Sequence, residues 1–143
     1  MRPTKKEYYL GIAEAVARKG TCIRRNYGAI IVNNDEVVGT GYTGSPRGKV
    51  NCCDTGICLR NELNVPSGER YELCSSVHAE MNAIISAGRN RCIGATLYLI
   101  GINASVNANE LLVKNPKPCS ICERLIINAG IKEVVTPSEV ITY

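Results

Sequence analysis

Apolar residues recur along the first forty positions with two periods, and the change from one to the other marks the first change of element. Tyr9, Ile12, Ala13, Val16 and Ala17 follow helical spacing up to Gly20, and Thr4 with Glu7 three residues on forms a capping box ahead of them. That combination predicts an amphipathic helix at the start of the chain. Gly28–Asn33 (GAIIVN) is then apolar and β-branched, Asn34-Asp35 is turn-like, and Glu36–Tyr42 (EVVGTGY) resumes as a strand. A hairpin is predicted there. Residues 43–77 are rich in Gly, Pro, Ser and Cys and show little period. A loop of that length needs something to tie it down, and its cysteines are the expected tie.

From Ala79 onward, Met81, Ile84 and Ile85 fit a helix ended by Gly88, and Ala95–Ile100 (ATLYLI) reads as a buried strand. A polar connection, Gly101–Lys117, follows without a predicted shape. Cys119–Ala129 then reads as a helix ended by Gly130, and Ile131–Thr136 (IKEVVT) as a strand before Pro137. The order is α-β-β-α-β-α-β. Strand–helix–strand alternation in the second half predicts parallel neighbours with helices packed on the sheet, hence a three-layer α/β domain with a mixed sheet. At 143 residues, with no internal repeat, residues 1–143 read as a single domain.

Composition narrows the class. The chain is 45% hydrophobic and 21% charged, as globular proteins are, and no apolar run approaches the roughly 20 residues that span a bilayer. No membrane partner is expected. Met1–Lys6 is basic but leads into an amphipathic stretch, so a secretory signal is not expected and a cytoplasmic location is. Eight cysteines would suggest disulfides in a secreted chain; here metal binding is the better reading. The net charge of +4 is local: residues 1–30 hold seven Lys/Arg against Glu7 and Glu14. Such a patch suits phosphate, although a solvated helix face would produce the same residues.

The chemistry concentrates at two predicted helix starts. His78-Ala79-Glu80 opens one, and Pro118-Cys119-Ser120-Ile121-Cys122 opens the other. Backbone N–H groups at a helix N-terminus favour the thiolates that zinc requires, and the C-x-x-C spacing sets both sulfurs on one side of the first turn. One imidazole, from the only histidine in the chain, completes three ligands and leaves a fourth position for water, which a closed structural site would lack. Glu80, two residues from His78, is placed to carry protons rather than to bind. H-x-E with P-C-x-x-C is the signature of the zinc nucleobase deaminases. Taken singly, a histidine is more often structural and a C-x-x-C can be half of a closed zinc site or a redox pair.

Four further stretches extend the match over nearly the whole chain: Thr21–Ile31 (TCIRRNYGAII), Gly41–Gly48 (GYTGSPRG), Val65–Ala83 (VPSGERYELCSSVHAEMNA) and Pro118–Ile131 (PCSICERLIINAGI). With them the chain resembles the deoxycytidylate deaminases of the cytidine deaminase superfamily. The resemblance implies an α/β/α fold on a mixed five-stranded sheet, and hydrolysis of dCMP to dUMP and ammonia by a zinc-bound hydroxide with Glu80 as proton shuttle. It also implies a homo-oligomer, dimer or hexamer, with dCTP and dTTP as effectors. Peptide groups near Ala79 and Cys119 would hold the pyrimidine edge. Arg24 and Arg25 would clamp the phosphate, for which a guanidinium fork is suited, and Asn26 would meet the sugar hydroxyl. Gly41, Tyr42, Thr43 and Gly44 would belong to the effector site, where Thr43 stands in place of a frequent asparagine and offers an effector a hydroxyl in place of an amide. dCTP as a second substrate is the related alternative.

A second, structural zinc is expected on Cys22, Cys53, Cys58 and Cys74, with Cys52 able to replace Cys53; reduced, partly buried cysteines are the competing reading. A tRNA or other nucleic-acid base deaminase would share the zinc core but needs stacking aromatics and a broad basic groove. The chain has no Trp and no Phe, so free nucleotide rather than nucleic acid is the expected substrate. A metal-stabilised binding module would require loss of Glu80 or a fourth close ligand.

Overall fold

In the computed structural model, which describes residues 1–105 and 110–143, the first element is helix α1 (Lys5–Ala17). The Glu7 amide donates to Thr4 Oγ1 at 3.2 Å and the Thr4 amide to Glu7 Oε2 at 2.9 Å, which closes the predicted capping box. Strands β1 (Arg25–Asn33) and β2 (Glu36–Tyr42) form the hairpin. Asn34 and Asp35 turn it at φ 50° and 63°, the left-handed pair of a two-residue type I′ turn. β1 begins three residues before its apolar run, because Arg25, Asn26 and Tyr27 pair with Asn103, Ile102 and Gly101 of β3 (Thr96–Asn103).

The sheet has the order β2-β1-β3-β4-β5, with β4 at Glu133–Val135 and β5 at Val140–Thr142. Only β3 and β4 run parallel, so the sheet is mixed as expected. The chain's hydrophobic pattern gave four strands. β5 is three residues long and follows a turn that Thr136 builds by accepting the Ser138 and Glu139 amides on its hydroxyl.

Helix α1 covers one face of the sheet over Ile30, Val32, Ile100 and Ile102. Helices α4 (Ala79–Ala87) and α6 (Ser120–Ala129) cover the other over Ala29, Ile31, Leu97 and Leu99. Both faces of β1 and β3 are thus buried, which is why their sequences run apolar without alternating. Two glycines set the closeness of this packing. A Cβ on Gly28 would lie 2.1 Å from the Ala13 carbonyl oxygen of α1, and one on Gly41 would lie 2.3 Å from both the Ala79 oxygen and the Ala83 nitrogen of α4.

Residues 43–77 fold into short helices α2 (Cys52–Thr55) and α3 (Leu59–Glu62) and a 3-10 turn at Tyr71–Leu73. Backbone pairing ties the ends: Val77 donates to Gly44 at 2.6 Å and Gly44 to Val77 at 3.2 Å. A further short helix, α5 (Arg89–Cys92), leads to β3. Of the connection Gly101–Lys117, the first three residues continue β3 and 106–109 lie outside the described residues. Among the described residues no helix is long and apolar enough to cross a membrane.

Candidate active site

His78 is the N-cap of α4 and Cys119 the N-cap of α6, both in extended backbone, and the two helices pack against each other. Their N-termini bring three ligand atoms together. His78 Nδ1 lies 3.3 Å from Cys122 Sγ and 3.5 Å from Cys119 Sγ. A tetrahedral zinc with Zn–N near 2.0–2.1 Å and Zn–S near 2.3 Å sets nitrogen and sulfur about 3.6 Å apart, so these atoms fit the ion without rearrangement. Among the described residues this is the only group of three or more His, Cys, Asp or Glu whose ligand atoms lie within 4.8 Å of one another. The Cys122 amide donates to Cys119 Sγ at 3.5 Å, the N-cap bond that fixes this sulfur at the helix start.

Glu80, only 5% exposed, lies in the first turn of α4. Burial pushes its carboxyl above the ordinary carboxylate value, against the opposing pull of a backbone hydrogen bond and of the Cys122 thiol. Cys122 is itself fully buried, and its thiol is driven far up by burial first and then by the charges of Glu80 and Cys119. Burial and the nearby Arg60 hold the His78 imidazole below its usual value, in the neutral form a metal ligand requires. Acidic groups that resist ionising together in a dry site are what a divalent cation relieves, which is the chemical fit of this donor set to zinc.

A cleft opens from the cluster, and His78, Glu80, Ala79 and Cys119 line it. Arg24 and Arg25 line it too, the first half-buried and the second exposed at the start of β1. Six lining side chains were not singled out in the sequence: Tyr27, Arg60, Ser67, Tyr71, Ser76 and Lys117. Tyr71 stands edge-on to His78 with ring centroids 5.4 Å apart, and Arg60 lies over Tyr71 at 5.1 Å. Tyr27, Ser67, Tyr71 and Ser76 fall within stretches that carry the resemblance but at no spacing that marks them, and Arg60 and Lys117 fall outside those stretches.

Two expectations are corrected. Asn26 is buried and does not line the cleft: its Oδ1 accepts the Cys22 amide and its Nδ2 donates to the Cys22 carbonyl, both at 2.9 Å, so its amide holds that turn instead of facing a sugar. Cys53 is exposed, with its sulfur against Asp54. The Cys52 thiol, half-buried, is pushed up by burial, opposed by a hydrogen bond with Ser75, and raised further by Cys22, Cys74 and Cys58. Of the four residues expected at an effector site, Thr43 also borders this cleft. There it accepts the Tyr27 amide at 2.9 Å, while Gly41 is closed against α4 and the Tyr42 carbonyl accepts from Asn82.

Comparison with known proteins agrees with this geometry. The family model for the cytidine and deoxycytidylate deaminase zinc-binding region matches residues 3–138. The deoxycytidylate deaminase of Mycobacterium phage D29 is 38% identical over 96% of this chain and 98% of its own length. That of Schizosaccharomyces pombe is 34% identical over 94% of this chain, which spans only 37% of the yeast protein. The crystal structure of dCMP deaminase from the cyanophage S-TIM5 in complex with dCMP and dUMP superimposes with a TM-score of 0.61 at 25% identity, covering 95% of this chain and 82% of that one. The zinc-ligand cluster at paired helix starts and the match over nearly the whole chain place this protein in the cytidine and deoxycytidylate deaminase family.

Proposed function

We propose that this protein hydrolyses dCMP to dUMP and ammonia, with zinc held by His78, Cys119 and Cys122 and with Glu80 as the proton carrier. The observation that carries the proposal is Glu80 buried beside three ligand atoms that leave one position of a tetrahedral ion open. The names of the relatives support dCMP as substrate, as does the cyanophage enzyme crystallised with dCMP and dUMP.

A zinc ion bound there supplies a Lewis acid that lowers the pKa of a water ligand from ~15.7 toward ~7. The chain's own residues handle the protons and the substrate. Glu80, its carboxyl raised by burial, accepts one proton of the attacking water and passes it to N3 of the pyrimidine; it then takes the second proton from the new C4 hydroxyl and delivers it to the departing 4-amino group, leaving a C4 carbonyl. The water oxygen ends on C4 and ammonia leaves. Peptide groups at Ala79 and Cys119 hold the pyrimidine edge, and Arg24 and Arg25 draw the 5′-phosphate to the cleft.

Three further features belong to the proposal. A structural zinc on Cys22, Cys52, Cys58 and Cys74 would need these sulfurs to draw together, since no three of them lie within 4.8 Å of one another; its support is the influence of Cys22, Cys74 and Cys58 on the Cys52 thiol, and one zinc per chain in fully active protein would defeat it. dCTP and dTTP act as effectors, checked by initial rates on dCMP with each added. A homo-oligomer forms, supported by Ile85 and Ile127, which are 76% and 51% exposed on α4 and α6.

Ammonia release from cytidine, deoxycytidine, dCMP, dCTP and a single-stranded oligonucleotide tests the substrate class. dCMP should be the best substrate; turnover confined to the oligonucleotide, or absent from all five, would defeat the reading.

A further inference from the structure

Arg60, in the short helix α3, is 9% exposed. Among the described residues its guanidinium has no carboxylate within 4.0 Å. Its one hydrogen bond runs from Nη2 to the Pro66 carbonyl at 3.3 Å, its other contact is the Tyr71 ring at 5.1 Å, and its buried Nε has no partner. A guanidinium removed from water is costly unless an anion or several acceptors compensate it. One neutral carbonyl and one ring face do not. The remaining open side is the cleft, which Arg60 lines together with Ser67, Gly68, His78 and Glu80.

The missing partner is therefore an anion that enters this cleft. A nucleotide whose base reaches His78 and Glu80 brings one such group. We infer that Arg60 binds the 5′-phosphate of the substrate and sets the preference for nucleotide over nucleoside, an assignment that rests on the dCMP reading. Arg24 and Arg25 are more open to solvent, so their attraction for phosphate is screened, whereas a desolvated guanidinium acts at lower effective dielectric. Through Pro66 the same side chain holds the Ser67-Gly68 turn at the cleft wall, which lets the phosphate seat against small residues.

Titration calorimetry with dUMP and with deoxyuridine, on zinc-loaded wild type, Arg60→Gln and Arg60→Lys, tests the assignment through product binding alone. Wild type should bind dUMP much more tightly than deoxyuridine. Arg60→Gln should cut that ratio by about 30-fold or more, the scale of removing one partner of a buried charge pair, and Arg60→Lys should cut it less. An unchanged ratio, or equal weakening of both ligands as a purely structural role would give, overturns the assignment. Should the Gln variant fail to fold by circular dichroism, the Lys variant, which keeps the charge without the fork, decides on the same ratio. Wild type that binds dUMP no better than deoxyuridine would overturn the dCMP reading itself, whatever the variants do.

Discussion

Glu80 and Tyr9 illustrate two routes to a shifted proton affinity, one through burial and one through a bonded partner. Tyr9 Oη donates to Asp35 Oδ1 at 2.6 Å, and that bond, ahead of burial, pushes the phenol up to about 12. Asp35 is held below its usual value by the same bond and by Lys5. A depressed carboxyl stabilises the fold above its ordinary value and loses that contribution as pH falls through its folded value. A raised phenol stabilises below its ordinary value of 10.0 and loses that contribution as pH rises toward about 12. The melting-temperature gap between wild type and Tyr9→Phe should therefore be widest near neutrality and close at both extremes; a gap independent of pH would contradict the coupling. At the cleft, Arg24→Ala and Arg25→Ala should each lower kcat/KM for dCMP by about tenfold, mainly through KM, in initial-rate assays. The zinc ligands and Glu80 were legible because their spacing is local and heads a helix. Asn26 and Cys53 were misread because the turn at Cys22 and the direction of each thiol in α2 exist only once the chain is folded.

Close packing of two elements, rather than any contact of the reacting groups, sets the position of α4. Gly41→Ala would drive a methyl into the α4 backbone between Ala79 and Ala83, so denaturant unfolding should register a loss of about 1–3 kcal/mol or more. Because α4 carries His78 and Glu80, activity should fall with it. Thr4→Ala removes only the α1 cap and should cost about 1 kcal/mol with kcat for dCMP unchanged. Elements with a strong period or a cap were readable to within a few residues. The polar start of β1 and the three-residue β5 were not, since their backbone pairing and the Thr136 turn hold them in place of an apolar pattern.

At the scale of the whole molecule, the fold serves to converge two helix starts on one metal. Chelation should abolish deamination and lower the melting temperature, and added zinc should restore both, because an ion that binds only the folded site adds its binding energy to stability. Ile85→Lys should shift the protein toward monomer in light scattering if α4 joins subunits; an unchanged mass would place the interface elsewhere. Turnover of dCMP by zinc-loaded Glu80→Gln beside wild type, with the zinc content of both measured, reaches furthest. Wild type should yield dUMP and equimolar ammonia, while the variant keeps its zinc and loses about 10²–10⁴ in kcat. Comparable turnover in the variant, or none in wild type, would contradict a zinc deaminase that works through Glu80.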